Sequence, residues 1–143
     1  MRRFLLLVVV AMMVIGLMAG PAMAAPAPSV NGGGTWITGD GSTNYLQVNA
    51  RYDKDEQATG KVHWRHNKLG GDPNNYNLVA DVVSLEIVGD TAKIVAEYPG
   101  GGELYIVVVD GGEPGDTDEA SIIPDGDYNI SPPELVGGNF QVR

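Results

Sequence analysis

Apolar residues at every second position are the feature that most restricts how this chain can fold. Between positions 45 and 52, Leu46, Val48 and Ala50 alternate with Gln47 and Asn49. Period two places each set on one face of an extended strand. The same alternation recurs in 61–66 and 92–98, and no window shows helical spacing without an interrupting Gly or Pro. The pattern therefore predicts an all-β fold.

Turn residues separate these runs at short intervals. Gly89-Asp90 suits a two-residue hairpin, because glycine tolerates the positive φ that such turns need. Gly-rich stretches at 70–75 and 99–102 indicate further loops. The apolar segment 78–88 is long enough for one bent strand or two, and 104–109 is apolar on both faces, as in a central strand. The first predicted strand begins at 36–37, and the last two cover 119–123 and 136–142. We therefore expect about eight antiparallel strands in a sandwich or barrel.

The first 24 residues have the pattern of an export signal. Arg2 and Arg3 precede a continuous apolar run over 4–18, and Ala22-Met23-Ala24 offers a small-x-small cleavage site. A run of this length is short for a transmembrane helix, which needs about 20 apolar residues. We expect a cleaved signal peptide over 1–24, an Ala/Pro linker over 25–30 and a single domain over 31–143. The alternative is an uncleaved N-terminal anchor.

Composition restricts both partners and chemistry. Without Arg2 and Arg3 the chain keeps seven basic residues against 18 acidic ones, a net charge of −11. Such a chain is repelled by nucleic acid and by anionic lipid surfaces, so we expect neither partner, nor a membrane span in the mature form. The absence of cysteine excludes disulfides, thiolate metal sites and cysteine nucleophiles. The protein is expected outside the cytoplasm, either extracellular or periplasmic.

An acidic segment follows the last long apolar run. Asp110, Glu113, Asp116 and Asp118 lie within nine positions among glycines and a proline. Carboxylates gathered on a loop are suitable ligands for Ca²⁺, so these four are the candidate metal ligands. The EF-hand pattern itself fails, because Gly112 occupies a ligand position. The alternative interpretation is a solvated hairpin loop in which Asp110 and Asp118 cap turn amides.

Other chemistries receive little support from the sequence. His63 and His66 lie three apart on a predicted strand and should face opposite sides, which disfavours a shared zinc ion. No serine has a nucleophile-elbow context, and paired carboxylates of a glycosidase type occur in any acidic loop. Exposed aromatic rings could instead stack on sugars, although ordinary packing is the alternative. The candidate rings are Trp36, Tyr45, Tyr76, Tyr105 and Tyr128.

The order of several short motifs resembles the post-COAP-1 type of small secreted β-domain, found on exported prokaryotic proteins. The resemblance implies an all-β domain on the cell exterior and transfers no catalytic residue. The middle of this chain is more polar than that family's pattern. The matching pieces are Gly32-Gly33-Gly34-Thr35-Trp36, Gly60-Lys61-Val62, Val88-Gly89-Asp90-Thr91-Ala92, Val109-Asp110-Gly111-Gly112-Glu113-Pro114-Gly115 with Asp116 and Asp118, and Gly137-Gly138-Asn139-Phe140-Gln141-Val142.

Taken together, these patterns predict a secreted, non-catalytic β-domain that acts as a surface interaction or structural module, with Ca²⁺ as a stabilising ion. Its partner would be extracellular, with polysaccharide as one candidate. A carbohydrate-binding module that uses tyrosine and tryptophan faces is the first alternative. A secreted hydrolase with an acidic site is the second.

Overall fold

The computed structural model describes residues 25–68, 75–113, 115, 117–126 and 133–143, and all of its regular structure is β-strand. The predicted signal peptide and most of the predicted loop at 70–75 lie outside these residues. Within them, no helix has the length and apolar character needed to cross a membrane. The strands are β1 (Ser29–Ile37), β2 (Thr43–Tyr52), β3 (Ala58–Asn67), β4 (Tyr76–Val88), β5 (Thr91–Tyr98), β6 (Gly102–Val109), β7 (Glu119–Pro124) and β8 (Gly137–Val142).

The eight strands form one antiparallel sheet in the order β7-β6-β5-β4-β3-β2-β1-β8. Strands β1 to β7 pair with their sequence neighbours, and β8 crosses over to pair with β1. The sheet curls into a half-barrel, as expected from the twist between adjacent strands. The prediction of an antiparallel all-β fold of about eight strands is therefore confirmed, and the architecture is barrel-like.

The strands bury their apolar alternate positions on the inner side of the curl. Leu46 and Val48 on β2 and Val62 on β3 are almost fully buried, as the period-two pattern predicts. Strand β1 begins at Ser29, seven residues before the predicted opening at Trp36, so the last two positions of the predicted linker belong to the sheet. Val30 lies in the core. The core also contains Trp36, Ala50, Trp64, Ala80, Val82, Leu85, Ala92, Ile94, Ala96, Leu104, Ile106, Val108, Ala120, Leu135 and Phe140.

The long apolar segment in the middle of the chain is one strand with a bulge. In β4 the register with β5 shifts between Val82 and Ser84, which inserts one extra residue. Before the bulge the even-numbered residues face inward, whereas Leu85 faces inward after it. The hydroxyl of Tyr52 donates a hydrogen bond to the backbone carbonyl of Leu85. The bulge therefore bends β4 around the core and keeps apolar side chains inside along its whole length.

Candidate functional site

Four residues form a row across one end of the half-barrel. Trp36 on β1 pairs with Asn44 on β2, Asn44 pairs with His66 on β3, and His66 pairs with Tyr76 on β4. All four share the inward side of their strands, because they continue the alternation of the buried positions. The row lies at the edge of the apolar core and presents hydrogen-bonding and aromatic groups there. This arrangement is typical of a binding site at the mouth of a barrel.

Asn44 holds two of the rings in place. Its side-chain oxygen Oδ1 accepts a hydrogen bond from Trp64 Nε1 at 3.1 Å and lies 3.0 Å from His66 Nδ1. An amide oxygen can only accept, so this assignment places the imidazole proton of His66 on Nδ1. Nε2 of His66 is then free to accept a hydrogen bond when the ring is neutral. Asn44 thus fixes both the orientation and the tautomer of the histidine.

Tyr76 covers this pair of rings. Its ring stacks on that of Trp64, with centroids 5.4 Å apart and planes 17° from parallel. The centroid of His66 lies 6.0 Å from that of Tyr76. Tyr76 is 41% exposed, whereas Trp64 and Trp36 are 4% and 2% exposed. Tyr76 is therefore the ring that a ligand from solvent meets first.

The row forms the wall of a cavity of about 280 Å³. Its opposite side comes from β7 and the segment before β8, so the site lies where the two ends of the curled sheet approach each other. No described residue accepts from Trp36 Nε1 or from Asn44 Nδ2. Hydrogen-bond donors therefore remain available beside the apolar rings. The lining comprises Trp36, Thr38, Asn44, Trp64, His66, Tyr76, Ser121, Ile122, Pro124 and Pro133.

The sequence identified part of this site. Of the five candidate rings, Trp36 and Tyr76 meet at the cavity, whereas Tyr45 lies on the outer side of β2 and Tyr105 binds Glu103. Tyr128 is outside the described residues. Trp64 and Asn44 were missed. The sequence did offer a clue to Asn44, because it is the one polar residue among the apolar inward-facing positions of β2.

The two histidines lie on opposite sides of β3, as predicted from their spacing. His66 faces the cavity, and His63 lies on the outer side, where its Nε2 is 2.7 Å from Asn77 Oδ1. A single metal ion cannot be bound by both. The structure thus agrees with the sequence argument against a zinc site here.

Two of the four predicted calcium ligands instead join the ends of the sheet. Asp118 is fully buried. Its Oδ1 accepts from the N–H of Gly111 at 2.9 Å, and its Oδ2 accepts from the N–H of Phe140 on β8 at 2.5 Å. Asp110 does the same with the N–H groups of Gly112 and Val142, both at 2.9 Å. Each carboxylate therefore caps its own turn and also binds the free edge of β8, in agreement with the turn-capping interpretation.

Glu113, a third predicted calcium ligand, also forms hydrogen bonds within the protein. Its carboxylate accepts from the side-chain amides of Asn139 at 3.0 Å and Gln141 at 2.9 Å. These bonds, first that from Gln141 and then that from Asn139, lower the pKa of Glu113 below its ordinary value. Asp116 lies outside the described residues. Within the described part of the chain, no three carboxylate or imidazole groups gather as metal ligands. Calcium binding at this loop stays a prediction.

Comparison of the chain with protein-family models, with curated proteins and with solved structures finds no match. The resemblance to the post-COAP-1 type of domain therefore stays a prediction from the motifs alone.

Proposed function

We propose that this protein is an exported, non-catalytic binding domain that holds a small ring-shaped ligand, such as one sugar unit, in the cavity at the end of the half-barrel. The observation that carries the proposal is the cavity wall itself. It combines the exposed ring of Tyr76 with the hydrogen-bonding groups of Asn44, His66 and Trp36.

Sugar rings match this combination. A pyranose has an apolar C–H face that packs on an aromatic ring and an equatorial edge of hydroxyls that donate and accept hydrogen bonds. The ring of Tyr76 offers the flat apolar contact, and the amide of Asn44 with the imidazole of His66 offers the polar one. Both polar groups are fixed by the bond between them, which reduces the entropy lost on binding.

A binding role fits this wall better than a hydrolytic one. The two mechanisms of glycoside hydrolysis use a pair of carboxylates beside the scissile bond. No described residue that lines the cavity is acidic, and its titratable side chains are His66 and Tyr76. The three described carboxylates of the acidic segment are engaged with amides at the seam between β7 and β8. Export rests on the signal pattern of residues 1–24.

Intrinsic fluorescence offers a direct test, because both tryptophans line the cavity. The exported protein would be titrated with a panel of mono- and oligosaccharides, and we expect at least one to change the emission with a saturable dependence. Tyr76→Ala should weaken that binding by about tenfold or more, since aromatic anchors carry much of the energy in such sites.

Tyr45→Ala is the matched control. Tyr45 is 39% exposed, close to the value for Tyr76, and lies on the outer side of β2 away from the cavity. The Tyr45→Ala variant should bind the same sugar with the affinity of the unaltered protein. If no sugar binds, or if both variants lose binding equally, the cavity is not the site, and the surface-module interpretation without a sugar pocket is favoured.

A further inference from the structure

Four adjacent strands contribute no acidic residue to their outer surface, in a strongly acidic protein. Strands β8, β1, β2 and β3 are neighbours in the sheet, and none contains an acidic residue. The whole chain has 18 acidic residues. Strands β2 and β3 instead contribute Arg51, Lys61 and Arg65, all exposed on the outer side. The exposed cations of this surface therefore lie on β2 and β3, whereas at β8 the carboxylate of Glu113 accepts from the side chains of Asn139 and Gln141.

Amide side chains surround these cations in register. Gln141 on β8 pairs with Asn31 on β1, Asn31 pairs with Asn49 on β2, and Asn49 pairs with Lys61 on β3. Adjacent strands lie about 4.8 Å apart, so this row extends over about 14 Å. Asn31, Asn49 and Lys61 are exposed. We name this surface, the outer side of β8, β1, β2 and β3, the amide face.

A second row lies beside the first and contains a gap. Gly33 on β1 pairs with Gln47 on β2, which pairs with His63 on β3. Because Gly33 has no side chain, the surface is lower there. A shallow depression of about 260 Å³ lies along these strands. Tyr45 flanks it with its ring edge-on to that of His63, at a centroid distance of 6.3 Å.

We propose that the amide face binds an anionic polysaccharide along β2 and β3, the two strands that carry its exposed cations. Arg51, Lys61 and Arg65 would bind its carboxylates, and the amides would hydrogen-bond its hydroxyls. Lys61 already forms an ion pair with exposed Asp81 at 2.5 Å, which a polymer carboxylate can replace because both groups are in solvent. Arg65 and Arg51 form no ion pair with a described residue. This site is separate from the cavity and does not depend on the function proposed for it.

Charge density argues for a polysaccharide over the other polyanions. Duplex DNA carries one charge per about 1.7 Å, and a protein with a net charge of −9 repels such a polymer over most of its surface. A polyuronate has one carboxylate per sugar, between neutral hydroxyls that suit the amides. The amide face also offers few of the apolar anchors that attach a protein to a lipid surface, since its large exposed apolar side chains are Tyr45 and, at the end of β1, Ile37.

The probe pair that tests this is polygalacturonate and its methyl ester, which share a backbone and differ in charge. We expect the exported protein to bind polygalacturonate in an affinity electrophoresis or sedimentation assay, to bind the ester far more weakly, and to release the acid form as salt is raised. Arg51→Gln and Arg65→Gln should each weaken binding about fivefold. Lys93→Gln on β5 removes the same charge from another strand and should change little.

Other outcomes overturn the proposal. Equal binding of the two polymers, no binding of the acid form, or equal loss in the arginine variants and in Lys93→Gln would each do so. Binding of phosphatidylglycerol vesicles or of DNA in place of polygalacturonate would show a different class of partner. Tyr76→Ala should leave polygalacturonate binding intact, and the arginine variants should leave the fluorescence response to neutral sugar intact. The two sites can therefore fail independently.

Discussion

The buried carboxylate of Asp118 accepts a hydrogen bond from the backbone N–H of Phe140 at 2.5 Å, across the seam between the two ends of the curled sheet. Phe140 lies on β8, which pairs through its other edge with β1. A side chain thus takes the place of a ninth strand at this edge of β8. Asp110 repeats the arrangement two residues further along, at Val142. Edge strands expose unpaired amides, and these two carboxylates satisfy them.

Asp118→Asn tests the contribution of this bond to stability. An amide keeps the shape of the carboxylate but removes the charge and turns an NH₂ group toward one of two N–H donors. We expect the free energy of unfolding in urea to fall by about 2 to 4 kcal/mol, because a buried charge-assisted pair is lost. Asp90→Asn, an exposed change in the turn between β4 and β5, should stay within about 0.5 kcal/mol. Equal effects of the two substitutions would contradict this role.

Gly60→Ala tests how the sheet curls at the start of β3. The φ of Gly60 is +141°, and a Cβ there would lie 1.9 Å from the backbone oxygen of Asn49 on the neighbouring strand. That oxygen belongs to the main chain, so two strands must separate. We expect a loss of about 2 kcal/mol or more in stability.

Gly39→Ala is the control for this change. A Cβ at Gly39 meets nothing within 4 Å. The substitution should therefore change the free energy of unfolding by no more than about 0.5 kcal/mol in the same urea experiment. A Gly60→Ala protein as stable as Gly39→Ala would show that the strand spacing at this point is relaxed.

Acid should weaken the fold through two exposed carboxyls. The hydroxyl of Thr38 and then the N–H of Ser42 lower the pKa of Asp40 from 3.8 to about 2. The pKa of Glu113 is also lowered, by Gln141 and Asn139. A pKa depressed in the folded state gives stability that is present above the unfolded pKa and lost as the pH falls through the folded one. Urea unfolding should therefore change little from pH 7 to pH 5 and weaken progressively below about pH 4.5.

The variant Asp40→Asn isolates one of these contributions. It lacks the carboxyl that titrates, so its stability should decline less steeply between about pH 4 and pH 2 than that of the unaltered protein. Parallel pH profiles for the two proteins would show that the bonds of Asp40 make no net contribution to folding.

A calcium titration separates the two interpretations of the acidic loop. The carboxylates of Asp110, Glu113 and Asp118 already accept N–H bonds that set their orientation, so an ion would have only their remaining lone pairs. The turn-capping interpretation predicts that millimolar Ca²⁺ leaves the melting temperature unchanged beyond the effect of Mg²⁺ at the same ionic strength. A rise specific to Ca²⁺ would show that the loop binds the ion, and loss of that rise in Asp116→Asn would assign a ligand that the described residues do not include.

The sequence alone determined the strands and the inner face of the sheet. Alternation is a local property, since each residue of an extended chain points opposite to its neighbour, and so Leu46 and Val48 could be assigned to the core without knowledge of any partner. The two-residue turn at Gly89-Asp90 is local in the same way, with Gly89 at φ +63°. The early start of β1 was not predicted, because its glycines have the composition of a turn.

The tertiary structure alone decided what the polar side chains do. The row of Trp36, Asn44, His66 and Tyr76 exists because three strand pairs share a register, and register depends on contacts between residues far apart in sequence. From the sequence, Asp118 is indistinguishable from an ordinary loop carboxylate. Its role depends on the pairing of β8 with β1, which brings the N–H of Phe140, 22 residues later, to its side chain. Local patterns specify which way a residue faces, whereas its partners depend on the order in which the strands are laid side by side.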